Sequence, residues 1–491
     1  MAPNLVVVDN PSDWPDLPGS EVVAARDYLM QARFGQLRRV RVFNLCKSYQ
    51  YQSVGYYVSL LAAARGHRPL PSVSSIQEMK SLTIIRFVSE ELDELIQKSL
   101  HHITGDKFTL SIYFGKNVAK HYDRLAAHLF NQFQAPLLRA KFSNQNGKWN
   151  LQSIKPMSTS EIPDEHWPSV LLFAAEYLEK GRQPPSRKVQ SRYDMAILHH
   201  PGERNAPSNE KALKRFVKAA EELGFSVEMI TKEDYGRLAE FDALFIRETT
   251  NVHHHTYRFA QRAQAAGLVV IDDPESILRC SNKVFLAELL ERSGVDHPKT
   301  LIVHEANVQD VEPKIGFPCI LKKPDSSFSQ GVFKVSNAAE LQAALKEMFE
   351  ESDLVIAQEF LPTDFDWRVG IIDGKPLYVC KYFMAKKQWR IQVTDAKGET
   401  DYGNVETLPV GLAPKKVVST ALEIANLIGN GLYGVDLKQV DKRVLVIEVN
   451  DNPSMDCGFE DRILKDELYT RVMEVFLKRV EDRTARRSEN T

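Results

Sequence analysis

The residues with the most chemical potential lie in Tyr433-Gly434-Val435-Asp436-Leu437 and in Val444-Leu445-Val446-Ile447-Glu448-Val449-Asn450-Asp451-Asn452-Pro453. These are two apolar-rich runs around the polar turn Asp441-Lys442-Arg443. A hairpin centred on Lys442 sets Asp436 opposite Glu448, and strand alternation puts Asn450 on the face of Glu448. Two facing carboxylates repel, so the pair makes sense with a cation between them. Hard oxygen donors in an incomplete shell suit Mg2+, which takes a few carboxylates plus phosphate oxygens. Pattern alone leaves a second reading open, a hairpin face whose polar residues meet water.

Two further pieces have phosphate or nucleotide chemistry in reach. The run Phe317-Pro-Cys-Ile-Leu-Lys322 ends on a lysine and enters a small-residue loop that contains Ser327, Gln330 and Gly331. An ammonium and loop N–H groups can surround phosphates. The loop lacks the Walker A spacing, and by itself it reads equally well as a plain strand–turn–strand. The run Leu354-Val-Ile-Ala-Gln358-Glu359-Phe360-Leu361 carries a strand into a polar pair, suited to a nucleobase edge and a ribose.

The elements that must position these groups alternate between strand and helix, the grammar of an α/β layer. Strands are predicted at Leu5–Val8 and Val40–Leu45, with a buried helix at Tyr56–Ala64. Three more strands follow near 109–114, 137–142 and 149–154. The polar, basic, Pro-rich GRQPPSRKVQS reads as a linker, because paired prolines cannot donate ladder or helix hydrogen bonds. Beyond it, strands at 195–198, 225–230, 243–247 and 268–271 and helices at 210–223 and 256–266 make a second small layer. The final EDRTARRSENT is expected to fray.

Composition narrows the class. The 491 residues exceed one ordinary core. A net charge of −2 gives no basic excess for nucleic acid or a membrane surface. No apolar run approaches the roughly 20 residues needed to span a bilayer. Five scattered cysteines, Cys46, Cys280, Cys319, Cys380 and Cys457, fit a reducing compartment. The start MAPNLVVVDN lacks a basic region before an apolar stretch, so a cytoplasmic location is expected.

In this order, the pieces from about Tyr193 to Lys478 resemble the ATP-grasp superfamily, and within it the RimK-like glutamate ligases. The N-terminal third is similar to the extra domain in front of some of them. The resemblance implies an α/β ATP-grasp fold: an accessory α/β domain (1–182), a linker (183–192), a pre-ATP-grasp α/β domain (193–275), two α+β subdomains (276–480) and a tail (481–491). It implies ATP as cosubstrate, with Lys283, Lys322, Ser327, Gln330 and Gly331 at the phosphates, Gln358, Glu359, Phe360 and Leu361 at the adenine hinge, and Asp366 nearby. It implies Mg2+, or Mn2+ in its place, on Asp436, Glu448 and Asn450. Arg368 of the Asp-x-Arg motif and Arg390 of KKQWRIQV would act on the transferring phosphoryl group, and Arg247, Asn452 and Ser454 would lie beside the substrate.

The implied activity is ATP-dependent joining of a carboxylate to an amine through an acyl-phosphate. The partner would be an amino acid, a peptide or a protein terminus, with glutamate favoured by resemblance. Many relatives are dimers or tetramers, so a homo-oligomer is compatible. A scaffold that binds ATP without turnover is the alternative, and the intact Asp436, Glu448 and Asn450 count against it. Two departures stand out. The phosphate loop has one glycine where relatives have several. QVTDAKGET replaces the Ser-Asn type of the ribosomal-protein-modifying members, which points to a different acceptor. His253-His254-His255, His101-His102 and His199-His200 are expected to be solvated, since adjacent side chains diverge along a helix or a strand. Cys457 reads as a plain thiol, and the tyrosines of 49–57 as a core face.

Overall fold

Runs rich in Val, Ile and Phe become strands here because branched and aromatic side chains pack well on a pleated surface. In the computed structural model every residue is described except 1–3, 38–39, 180–190, 204, 326–330, 386–391, 395–399 and 490–491. The chain divides into an N-terminal unit, Met1–Lys188 with Glu233–Glu240, and a C-terminal unit, Val189–Lys232 with Phe241–Thr491.

The N-terminal unit has a parallel sheet in the order Ser20–Ala24, Asn4–Val8, Arg41–Asn44, Arg68–Leu70. Both its faces are covered: Leu5 and Val7 pack with Tyr28, Phe34 and Val58, and Val6 and Val8 with Trp14 and Phe43. Burial on both sides is why the first strand reads as an unbroken apolar run. An antiparallel sheet, Lys107–Tyr113, Leu137–Gln145 and Lys148–Pro156, is backed by helices that include Asp123–Phe133. Residues Glu233–Glu240 join this unit from the middle of the chain. Asn131 donates to the Glu233 carbonyl at 2.6 Å, and Arg41 and Tyr177 each reach Glu240 at 3.1 Å.

In the C-terminal unit a parallel sheet runs Val269–Ile271, Ala243–Ile246, Tyr193–Leu198, Phe225–Ile230. Helix Glu210–Glu222 starts under the cap of Asn209 and packs on this sheet beside the last helix, Asp466–Glu489. Phe216 meets Tyr469 edge-on at 4.7 Å, and Phe245 meets Phe476 at 5.3 Å. The tail expected to fray is helical through Glu489 instead. Its anchor is Arg483, which pairs with Asp242 at 3.1 Å and donates to the Gly267 carbonyl. Among the described residues no helix is long and apolar enough to cross a membrane.

Beside the two-stranded pair Gln392–Thr394 and Thr400–Tyr402, two larger sheets complete this unit. One is antiparallel, in the order Thr300–Val303, Val355–Glu359, Cys319–Lys322, Val332–Val335. The other runs Val405–Leu408, Lys375–Phe383, Phe365–Ile372, Leu432–Val440, Arg443–Asp451. Trp367, Val369, Ile371, Tyr433, Val435 and Leu437 point to one face of the larger sheet. They pack there on helix Lys415–Ile428 and on Leu286 and Leu290 of helix Lys283–Ser293. The opposite face carries the polar row.

Candidate active site

Three strands lay that row out. Arg368 is in register with Asp436, and Asp436 with Glu448. The expected pairing is present, but a different backbone makes it. Val440 pairs with Arg443, so the turn holds two residues, Asp441 and Lys442, and a regular ladder would set Asp436 opposite Ile447. A β-bulge at Ile447 shifts the register by one and brings Glu448 across instead. Val444, Val446 and Val449 stay on the helix-covered face, and Glu448 and Asn450 turn to the polar one.

The arginine grips Asp436 with two bonds, Nε to Oδ1 at 2.5 Å and Nη2 to Oδ2 at 2.6 Å. Burial raises the Asp436 carboxyl above its usual range, and the Arg368 guanidinium offsets only part of that rise. The bidentate contact outweighs burial at Arg368, which stays charged well above its ordinary range, so the pair is ionised. Gly434 leaves the space this needs: a Cβ there would lie 2.7 Å from Pro453 Cβ and 3.1 Å from Arg368 Cδ. Asn450 donates to Asp436 Oδ2 at 3.2 Å.

Lys283 is the first residue of its helix, capped by Asn282, whose side chain accepts from Val284 and Phe285 N–H groups. Its Nζ lies 3.0 Å from Glu448 Oε1. Burial pushes Glu448 up, but the Lys283 and Lys322 ammoniums outweigh it and hold the carboxyl below its usual range. Lys322 ends its strand 9% exposed and donates to Gln358 at 2.8 Å, and Gln358 donates in turn to Thr300 at 3.0 Å. Glu359 accepts from the Lys299 N–H at 3.1 Å, and Lys334 lies 3.7 Å over the Phe360 ring, with Leu361 half-buried beyond it. Asp366 pairs with Lys438 at 2.5 Å. Lys438 escaped the sequence reading, although it lies two residues from Asp436 on the same strand face.

Gly331 has a φ of 68°, a left-handed conformation that suits glycine. Ser327, Gln330 and Arg390 lie outside the described residues. Arg247, expected beside substrate, is instead 1% exposed and donates to Ser208, Pro207 O, Asn452 Oδ1 and Pro453 O. Asn452 is likewise engaged internally. Its N–H donates to Asp272 Oδ2 and its side chain to the Glu248 carbonyl, both at 2.6 Å. Asp272 Oδ1 accepts from Leu432 N at 2.7 Å, so one buried carboxylate ties both ends of the hairpin. The Ser454 carbonyl accepts from the Tyr378 hydroxyl at 3.0 Å.

The donor set of Asp436, Glu448 and Asn450, two carboxylates and an amide, fits a hard divalent cation such as Mg2+. Three cations stand around it, Lys283, Lys322 and Arg368, a surplus that suits a polyanion. Burial brings the Lys322 ammonium down to about 8; the Lys283 and Lys438 ammoniums add to the drop, and the Glu448 and Asp366 carboxylates oppose it. Bound phosphates would recharge it. Above pH 8, ATP binding is therefore expected to take up a proton and to weaken by about tenfold per pH unit until the ordinary lysine range. Calorimetry at pH 9 in two buffers of different ionisation heat checks this, and binding without proton uptake contradicts it. For stability the sign is opposite. The unfolded chain binds the extra proton between about 8 and 10.5, so this group's contribution rises with pH there.

Residues 25–171 match the model of the RimK-like ATPgrasp N-terminal domain, and residues 280–468 that of the RimK-like ATP-grasp domain. Together the matches span more than half of the chain. The alpha-aminoadipate–LysW ligase LysX of Saccharolobus solfataricus is 26% identical over 49% of this chain and 88% of its own length. A "Probable alpha-L-glutamate ligase" of Vibrio vulnificus is 23% identical over 47% of this chain and 74% of its own. A D-alanine–D-alanine ligase structure from Bacillus anthracis, with ATP, covers 59% of this chain and 98% of its own at 18% identity and a TM-score of 0.47.

Proposed function

Because the chain belongs to the RimK-like ATP-grasp family, with that family's N-terminal domain ahead of the ATP-grasp domain, we propose that it is an ADP-forming ligase that joins a carboxylate to an amine. The observation that carries this reading is the cross-strand row Arg368, Asp436, Glu448, with Lys283 at 3.0 Å from Glu448.

A bare carboxylate resists amines because oxide is too poor a leaving group. In the proposed reaction a carboxylate oxygen attacks the γ-phosphorus of ATP in line, the bond to the β–γ bridging oxygen breaks, and ADP leaves. The amine then adds to the carbonyl of the acyl-phosphate, loses a proton and expels inorganic phosphate. Bound Mg2+, held by Asp436, Glu448 and Asn450, would offset charge on the β- and γ-phosphates. The chain's own contribution is positioning and charge. Lys283 and Lys322 hold the phosphates from the helix start and the strand end. Arg368 stabilises Asp436 in its ionised form and would act on the transferring group, a role the family resemblance gives to Arg390 as well. The hinge 358–361 supports the nucleoside.

An amino acid such as glutamate is the proposed substrate class, joined to another amino acid, a peptide or a protein terminus. The names of the relatives support this class, and the chain's QVTDAKGET argues for an acceptor of its own. The test is phosphate release from Mg-ATP by the full chain, screened against pooled amino acids, carboxylates and peptides, with Glu448→Ala as control. Release that needs one carboxylate and one amine, and vanishes in the variant, is expected. Release without an amine requirement would mean carboxylate phosphorylation alone, and release that survives Glu448→Ala would remove this site from the chemistry.

A further inference from the structure

Beyond the nucleotide site, a second cluster gathers where strand Ala243–Ile246 ends. Glu248 is 1% exposed, and among the described residues neither of its carboxylate oxygens has a hydrogen-bond partner. His255 Nε2 lies 2.6 Å from Glu248 Oε1, yet that nitrogen also lacks a hydrogen bond, because the geometry is wrong for one. His254 Nε2 and His200 Nδ1 each stand 4.0 Å from the same oxygen. Among the described residues, Glu248, His254 and His255 form a group whose donor atoms all lie within 4.8 Å of one another.

The backbone explains how adjacent histidines face one way. His254 is extended, with φ −97° and ψ 159°, and His255 is the first residue of helix His255–Ala265. At that switch the two imidazoles swing together, with ring centroids 3.9 Å apart. The divergence expected within a single helix or strand does not apply. His254 Nδ1 is 3.2 Å from the Thr256 hydroxyl, which leaves Nε2 to face Glu248, the outer contact that orients a ligating imidazole.

A carboxylate this buried without hydrogen bonds is costly unless a cation compensates it. The helix start favours an anion there, but no N–H reaches the carboxylate. Two imidazole nitrogens and one carboxylate oxygen form a borderline donor set that prefers Zn2+ to Mg2+. Tetrahedral Zn2+ at about 2.0–2.2 Å from each donor spaces donors about 3.3 Å apart, between the 2.6 and 4.0 Å found here. We propose that Glu248, His254 and His255 bind a Zn2+-class divalent ion, with the fourth position open toward His200. The site shares no residue with Asp436, Glu448 and Asn450. It is linked to the loop after them by the Asn452 bond to the Glu248 carbonyl and by Thr250, which donates to Asp451 at 2.7 Å.

The test uses the full chain, stripped with a chelator and titrated with Zn2+ against a chromophoric competitor, with metal content measured after gel filtration. One equivalent per chain is expected, with a rise in Tm on loading. Co2+ in its place should give the strong visible absorption of a four-coordinate ion. His254 is 41% exposed, so His254→Ala should fold normally and weaken Zn2+ by at least about tenfold. Glu248→Gln should do the same, and Glu448→Ala should keep the full equivalent. Absence of stoichiometric Zn2+, binding indifferent to both His254→Ala and Glu248→Gln, or loss on Glu448→Ala would overturn the proposal.

Discussion

Replacing Glu448 by Gln is expected to lower kcat for ATP-dependent phosphate release by on the order of 10²–10³ while the protein stays folded. Glutamine keeps the shape and one oxygen donor but removes the charge. That charge faces the Lys283 ammonium at 3.0 Å and also acts on Lys322, so the two lysines lose the anion between them. The cation surplus over the phosphates grows, and ATP binding without metal should hold or tighten. Metal-dependent turnover should collapse, because a neutral amide is a poorer ligand for Mg2+ than a carboxylate. Binding measured with and without Mg2+ separates the two effects. A variant that turns over within about threefold of the parent would show that Glu448 is a partner of Lys283 and nothing more.

The sequence and the fold agree best where side-chain type alone sets the outcome. Val, Ile and Phe runs became strands, and Asn209 and Asn282 sit at the N-caps of their helices. The Asp436–Glu448 pairing was legible for the wrong reason, since a hairpin centred on Lys442 imitates a two-residue turn plus a bulge. A signal was nonetheless present: the helix-facing valines fall at 444, 446 and 449, and a spacing of two followed by three cannot fit an uninterrupted strand. At His254-His255 the rule of diverging neighbours, which holds within an element, fails at the junction of two, and the rings come together. Arg247 is set beside the substrate by resemblance alone, and no pattern in the sequence marks its packing. Its partners are Ser208, Asn452 and the backbone carbonyls of Pro207 and Pro453, drawn together by folding, and carbonyls leave no mark in sequence.

Arg247→Met is expected to lower stability by about 3–5 kcal/mol, seen as a drop of roughly 5–10 °C in Tm, with or without ligands. Methionine fills much of the arginine stem's volume beside Phe216 and Phe245, so the cost is not a cavity. It comes from the acceptors. Asn452 Oδ1 at 2.6 Å, Pro453 O at 2.9 Å and Pro207 O would lose their donor in a region closed to water, and each unsatisfied group costs about 1–3 kcal/mol before relaxation. Burial already draws the guanidinium down to about 10, and its bonds among the described residues go to a hydroxyl, an amide and backbone carbonyls, so shape and donor number hold it in place more than charge does. Lysine tests that distinction. It restores the charge but offers its donors from one point, where four acceptors are spread around a planar fork, so Arg247→Lys should recover little. A substrate-binding arginine would behave otherwise: KM would rise at an unchanged Tm, and lysine would restore part of it. Differential scanning calorimetry of the two variants beside KM for the carboxylate and the amine decides between a brace and a substrate contact, and an unchanged Tm in Arg247→Met would exclude the brace.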